Sequence, residues 1–165
     1  MKAIVWGLFV VLLVAFQSTL VPLLVIGGIK PDILLVITVS AGLLCGKETG
    51  VGIGFWCGML QDLLSGNVFG LNTITKMSVG YLAGLTERKV FKENILLPVA
   101  AMMVASFLNG LMIHIIVYLR GYAVDWSGAF VHIVLPAMMY NMVAAIPLHL
   151  IFSAFYRRVR GYFDV

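Results

Sequence analysis

The chain has 165 residues, of which 62% are hydrophobic and 11% charged, with a formal net charge of +4. A soluble domain is about a quarter charged, and a water-soluble chain of this size has no means of hiding so much apolar surface, so its solvent is lipid. The two cysteines, Cys45 and Cys57, form no C-x-x-C pair or disulfide framework and read as small core residues, and the bases gather in short loops and the tail, where they orient a membrane protein rather than bind nucleic acid.

Six apolar segments follow one another, at about 3–26, 31–46, 49–65, 70–86, 95–119 and 130–155, and residues 1–165 form a single transmembrane domain. The segments show no strand-like alternation. Backbone groups in lipid must be satisfied within the chain, so an all-α integral membrane protein with six transmembrane helices is expected. The first segment starts after Lys2 and has no small-residue cleavage site behind it, so it is expected to be an uncleaved span rather than a signal peptide. Segments two to four are shorter than the roughly 20 residues a span needs, which points either to helices enclosed by protein or to local bilayer thinning.

With the N-terminus inside, the inner segments hold Lys2, Lys47, Arg88, Lys89, Lys92, Arg157, Arg158 and Arg160, and the outer loops hold only Lys30 and Arg120. This bias predicts cytoplasmic N- and C-termini. The inner basic segments TERKVFKEN (86–94) and YRRVR (156–160) suit anionic lipid or a cytoplasmic partner.

Segments three and four carry the most specific pattern. Gly50, Gly54, Gly58 and Asp62 recur every four residues, as do Asn72, Lys76, Gly80 and Gly84. Residues four apart share a helix face. The short loop SGNVFG (65–70), with Gly66 and Gly70, makes the two helices antiparallel neighbours. Glycine stripes let membrane helices approach closely, so the stripes are expected to pack face to face and to bring Asp62 to Lys76. A lone charge deep in a bilayer costs roughly 2.5–3.5 kcal/mol, and pairing offsets much of that. The alternatives are that Lys76 snorkels outward while Asp62 caps the end of its own helix, or that the two form a substrate or proton site.

In segment six, Pro136 and Pro147 each remove a helix hydrogen bond, and kinks are expected there. Tyr140 and Asn141 lie between them, and the Asn141 amide wants a partner on another helix, with Asn109 of segment five at matching depth. His114, His132 and His149 have no metal-ligand spacing, and Ser18, Ser40, Ser78, Ser106 and Ser153 read as ordinary helix residues. No catalytic constellation, cofactor site or metal site is expected.

The stretch GFWCGMLQDLLSGNVFGLNTI (54–74) resembles the G-x-x-x-G-x-x-x-D-L-x-S-G-x-x-x-G-L-N segment of the rod shape-determining protein family MreD, and LPAMMYNMVAAIPLHL (135–150) is similar to its P-x-x-x-Y-N-x(5)-P stretch before a basic tail. The resemblance covers essentially the whole chain. It rests most on Asp62, Ser65, Gly66, Gly70, Leu71 and Asn72, then on Pro136, Tyr140, Asn141 and Pro147; Lys76 is not part of it. It implies a non-catalytic scaffold of bacterial cell-wall elongation in the inner membrane. The implied partners are MreC and, indirectly, MreB, RodA and a class B penicillin-binding protein. It also implies a fold similar to the substrate-binding subunits of energy-coupling-factor vitamin transporters, which keeps a solute-binding transporter subunit as the alternative function.

Overall fold

The computed structural model describes Val25 and residues 27–65, 68–86 and 96–163. The first expected span, Gly66 and the bases Arg88, Lys89 and Lys92 lie outside the described residues. The regular elements are all helical: α1 (Ile33–Cys45), α2 (Lys47–Ser65), α3 (Leu71–Leu85), α4 (Leu96–Leu119), α5 (Trp126–Ala129), a π-helical turn (Phe130–Val134) and α6 (Leu135–Phe163). Pro98–Leu119 and Trp126–Arg158 are each long and apolar enough to cross a membrane.

α1 is the centre. Its sequence, ILLVITVSAGLLC, is apolar on every side, and Ile33 through Leu43 are all buried. A helix with no polar face is stable only when enclosed. It is about 20 Å long by its rise per residue, well short of a hydrocarbon core of about 30 Å. Its burial therefore answers the question left by its length, in favour of a short helix surrounded by protein. One apolar cluster joins its Ile33, Leu34, Ile37 and Ala41 to Ile53 and Cys57 of α2 and Phe152 of α6. A second joins Leu35, Val36, Val39 and Leu43 to Val79 of α3, Met102 and Ala105 of α4 and Ala145 of α6.

Only Gly46 separates α1 from α2, and it turns the chain with φ of 90°, a value open to glycine at no steric cost. α2 and α3 then pack along their glycines, as their spacing predicts. A Cβ at Gly54 would lie 2.6 Å from the Lys76 carbonyl oxygen, and one at Gly58 2.5 Å from that of Asn72. A Cβ at Gly50 and one at Gly80 would each strike the other residue's carbonyl oxygen, and one at Gly84 would strike the Lys47 backbone. Each step of four on α2 is matched by a step of four on α3. Gly42 of α1 enters the same contact, its Cβ position 2.7 Å from the Gly80 carbonyl oxygen. Three backbones thus meet where Gly42, Gly50 and Gly80 converge.

The second half is a long helical hairpin. Edge-on pairing of Tyr118 with Trp126 (5.8 Å between ring centroids) and of Phe107 with Phe130 (5.3 Å), with Val134 packed on Gly110, sets α4 antiparallel to the chain that returns. Asp125 starts that return, accepting from the Gly128 backbone N–H at 3.1 Å and the Ser127 hydroxyl at 2.9 Å. The π-turn stands directly before Pro136. The Leu135 N–H bonds the Phe130 carbonyl, five residues back. A widened turn of this kind relieves the clash between a proline ring and the carbonyl four residues earlier, so the break expected at Pro136 takes the form of a π-turn. Pro147 lies inside α6, which runs on to Phe163, past the expected end at 155.

The close approaches sort the glycines by role. Gly50→Ala and Gly80→Ala should each lower the melting temperature in detergent, at a cost on the order of 1–3 kcal/mol for forced overpacking. Gly52, also in α2, has nothing within 4 Å of its Cβ position, and Gly52→Ala should raise stability by about 0.5–1 kcal/mol through helix propensity. Equal effects of all three substitutions would contradict the packing described.

Candidate functional site

Two clusters of buried polar side chains lie near the starts of α1 and α3. The first is built on Asp62, the last acid of α2, which is 2% exposed. A helix begins with backbone N–H groups that have no partner inside it. α3 begins at Gly70, which has φ of 89° and no side chain to cap with. Asp62 supplies the missing acceptor from the preceding helix. Its Oδ1 accepts from the Asn72 backbone N–H and from Asn72 Nδ2, both at 2.9 Å. Its Oδ2 accepts from the Gly70 and Thr73 N–H groups, both at 3.0 Å, and from Thr73 Oγ1 at 2.7 Å. Five donors saturate one carboxylate. The D-L-x-S-G-x-x-x-G-L-N pattern is thus a capping device: an acid at one helix end, a glycine to turn on, and an asparagine that presents two donors.

The second cluster is built on Lys76, and it corrects the expected pairing. Lys76 does not pair with Asp62, nor does it snorkel. It is fully buried, and its Nζ donates to Asp32 Oδ2 at 2.6 Å. Asp62 lacks a free lone pair aimed at it, because the start of α3 takes them all. Asp32 is the N-cap of α1, its Oδ1 accepting from the Leu35 N–H at 2.9 Å, an arrangement that favours negative charge at a helix N-terminus. Its side chain keeps 19% of its surface exposed. The Asp32 backbone N–H donates to Asn141 Oδ1 at 2.8 Å, and Asn141 Nδ2 donates to Ser106 Oγ at 2.6 Å. One chain of polar contacts therefore ties α1, α3, α4 and α6 together.

Two further corrections follow. Asn141 does brace helices, but its partners are Asp32 and Ser106, not Asn109. The buried Asn109 Oδ1 and Gln61 Oε1 have no hydrogen-bond partner among the described residues. Ser40 and Ser106 are interhelical partners rather than ordinary helix residues: His149 Nδ1 lies 3.0 Å from Ser40 Oγ, both buried. The Asp32–Asn141 and Ser40–His149 contacts have the same sequence separation, 109, so α1 and α6 run parallel and in register. Tyr140 is half-buried beside Asn141, between Pro136 and Pro147.

Sequence reasoning missed Asp32, which stands in the loop GGIKPD. The signal was present. An acid directly before an uninterrupted apolar run is an N-cap, and both Asp32 and Lys76 sit within two turns of the same end of the bundle. The spacing inside the hairpin favoured Asp62 because it is nearer in sequence.

Removing one partner of a buried ion pair leaves an uncompensated charge and costs about 3–5 kcal/mol. Lys76→Met and Asp32→Asn should each be strongly destabilising, and the double variant much less so than their sum. In a double-mutant cycle on thermal unfolding in detergent, Lys76 should couple to Asp32 by more than about 1 kcal/mol and to Asp62 by less than about 0.5 kcal/mol. Strong Lys76–Asp62 coupling would restore the pairing read from sequence.

No curated protein and no solved structure matches the chain, so the likeness to vitamin-transporter subunits rests on the family resemblance alone. The family model described as rod shape-determining protein MreD matches residues 1–159, which include both polar clusters and the bulk of the basic tail. The chain belongs to the MreD family of membrane proteins involved in determining rod shape.

Proposed function

We propose that this protein is a non-catalytic scaffold of the bacterial cell-wall elongation complex. It is a single multi-pass domain of the inner membrane with both termini cytoplasmic. It binds MreC directly and, through it, serves MreB, RodA and a class B penicillin-binding protein. The observation that carries the reading is where the polar groups go. Asp62 is saturated by the start of α3, Lys76 and Asp32 satisfy each other, and Asn141 joins Asp32 to Ser106. These side chains are engaged in holding helices together. The surface left over is apolar: Met139, Val143, Ile146, Leu150 and Ile151 face outward along α6. Such a surface suits lipid and the transmembrane helix of a bitopic partner, joined by packing with few polar bonds.

The polar contacts of the described residues weigh against the solute-binding alternative. It places a ligand among Asp62, Lys76, Asn109 and Asn141; Asp62, Lys76 and Asn141 are each bonded to another helix, and of the four Asn109 alone keeps a buried oxygen with no partner among the described residues.

The test is co-expression with a tagged MreC from the same genome, purification in mild detergent, and mass spectrometry of every protein and small molecule that co-elutes. The expected outcome is a stable complex with MreC and no small-molecule cargo. A retained vitamin-like ligand without MreC would overturn the proposal. Asp62→Ala should lower complex yield and melting temperature together, because Asp62 acts on the fold. Loss of the complex at an unchanged melting temperature would instead place Asp62 in the contact with MreC.

A further inference from the structure

The helical run that ends the described chain is longer than a bilayer is thick. From Trp126 through the π-turn to Phe163 it is unbroken, which at 1.5 Å per residue is about 56 Å. Its start is fixed by an aromatic group. Trp126 stacks edge-on against Tyr118 at 5.8 Å, and Tyr118, Tyr122 and Trp126 are all exposed. Exposed Trp and Tyr of this kind settle at a membrane–water interface. Counted from that interface, Arg157 and Arg158 lie about 46 Å along the helix. A bilayer is about 40–45 Å thick including its headgroups, and membrane helices tilt by about 20° on average. Both arginines therefore arrive at the phosphate plane of the opposite leaflet rather than in open solution.

The chemistry at that depth is one-sided. Arg157 and Arg158 are exposed in the last two turns of α6. Arg160 follows one turn after Arg157 in the same helix, and the first acid beyond them in the sequence is Asp164. At the same end Lys47 stands next to Glu48, so that pair brings no net charge. The basic groups of the tail are all arginines, the side chain whose planar fork matches a phosphate with two parallel hydrogen bonds.

We propose that Arg157 and Arg158 form a binding site for the headgroup of an anionic phospholipid, a phosphodiester of net negative charge. The site needs the membrane placement proposed above but no protein partner. The bound lipid fixes how deep the end of α6, and with it the bundle it is bonded to, sits in the bilayer.

The test uses the purified full chain in a neutral detergent, where membrane orientation plays no part, so a failure here is separate from a failure of the scaffold reading. Phosphatidylglycerol and phosphatidylcholine are titrated in turn, with bound lipid read by native mass spectrometry and stability by thermal melting. Wild type should bind phosphatidylglycerol in clear preference and melt higher with it. Arg157→Gln/Arg158→Gln should lose roughly thirtyfold in affinity for phosphatidylglycerol while melting like wild type without lipid, since both residues are exposed. No preference in wild type, an undiminished preference in the double variant, or equal stabilisation by inorganic phosphate would each overturn the proposal. Capture of an acidic soluble protein through these arginines, with no lipid preference, would overturn it in favour of a protein partner.

Discussion

A lysine ammonium with no exposed surface is the constraint around which this bundle is arranged. In an apolar interior such a charge is tolerable only with an opposite charge in direct contact and with that partner's remaining valences satisfied. Asp32 meets both conditions because it is also a helix N-cap. One carboxylate oxygen holds the start of α1 and the other holds Lys76. The same residue's backbone N–H, which α1 itself cannot use, is taken by Asn141. Three demands that each need a partner are met by one residue, and the position of α1 relative to α3 and α6 follows from it.

The α2–α3 pair obeys a second rule. In lipid there is no hydrophobic drive between helices, so close packing and polar bonds must hold them. The glycines permit the approach but do not choose its register, since a stripe repeating every four residues can slide by one turn and meet glycine again. Asp62 makes the choice. Its carboxylate reaches the Gly70, Asn72 and Thr73 donors in only one alignment, and from that alignment Gly58 meets Asn72, Gly54 meets Lys76 and Gly50 meets Gly80. Polar capping sets the register and glycine sets the distance.

These two devices explain how a small membrane protein has a rigid interior and a plain exterior. Asp32, Asp62, Lys76 and Asn141 are committed to the bundle, while the large exposed side chains are aliphatic and aromatic.

The sequence by itself determined the class and much of the α2–α3 hairpin. Apolar composition, the absence of strand periodicity and a four-residue glycine repeat act locally, so the helices and the close approach of Gly50, Gly54 and Gly58 to α3 were legible. The need of Lys76 and Asn141 for partners was legible too, because a buried charge or amide carries that need wherever it sits. Which partners they take was not. Asp32 is 44 residues from Lys76 and 109 from Asn141, and Ser106 is 35 from Asn141. Nothing in local spacing ranks such distant residues above the nearer Asp62 and Asn109. Tertiary structure decided between them for a physical reason: the start of α3 claims the lone pairs of Asp62, and the carboxylate that reaches Lys76 is the one that caps α1.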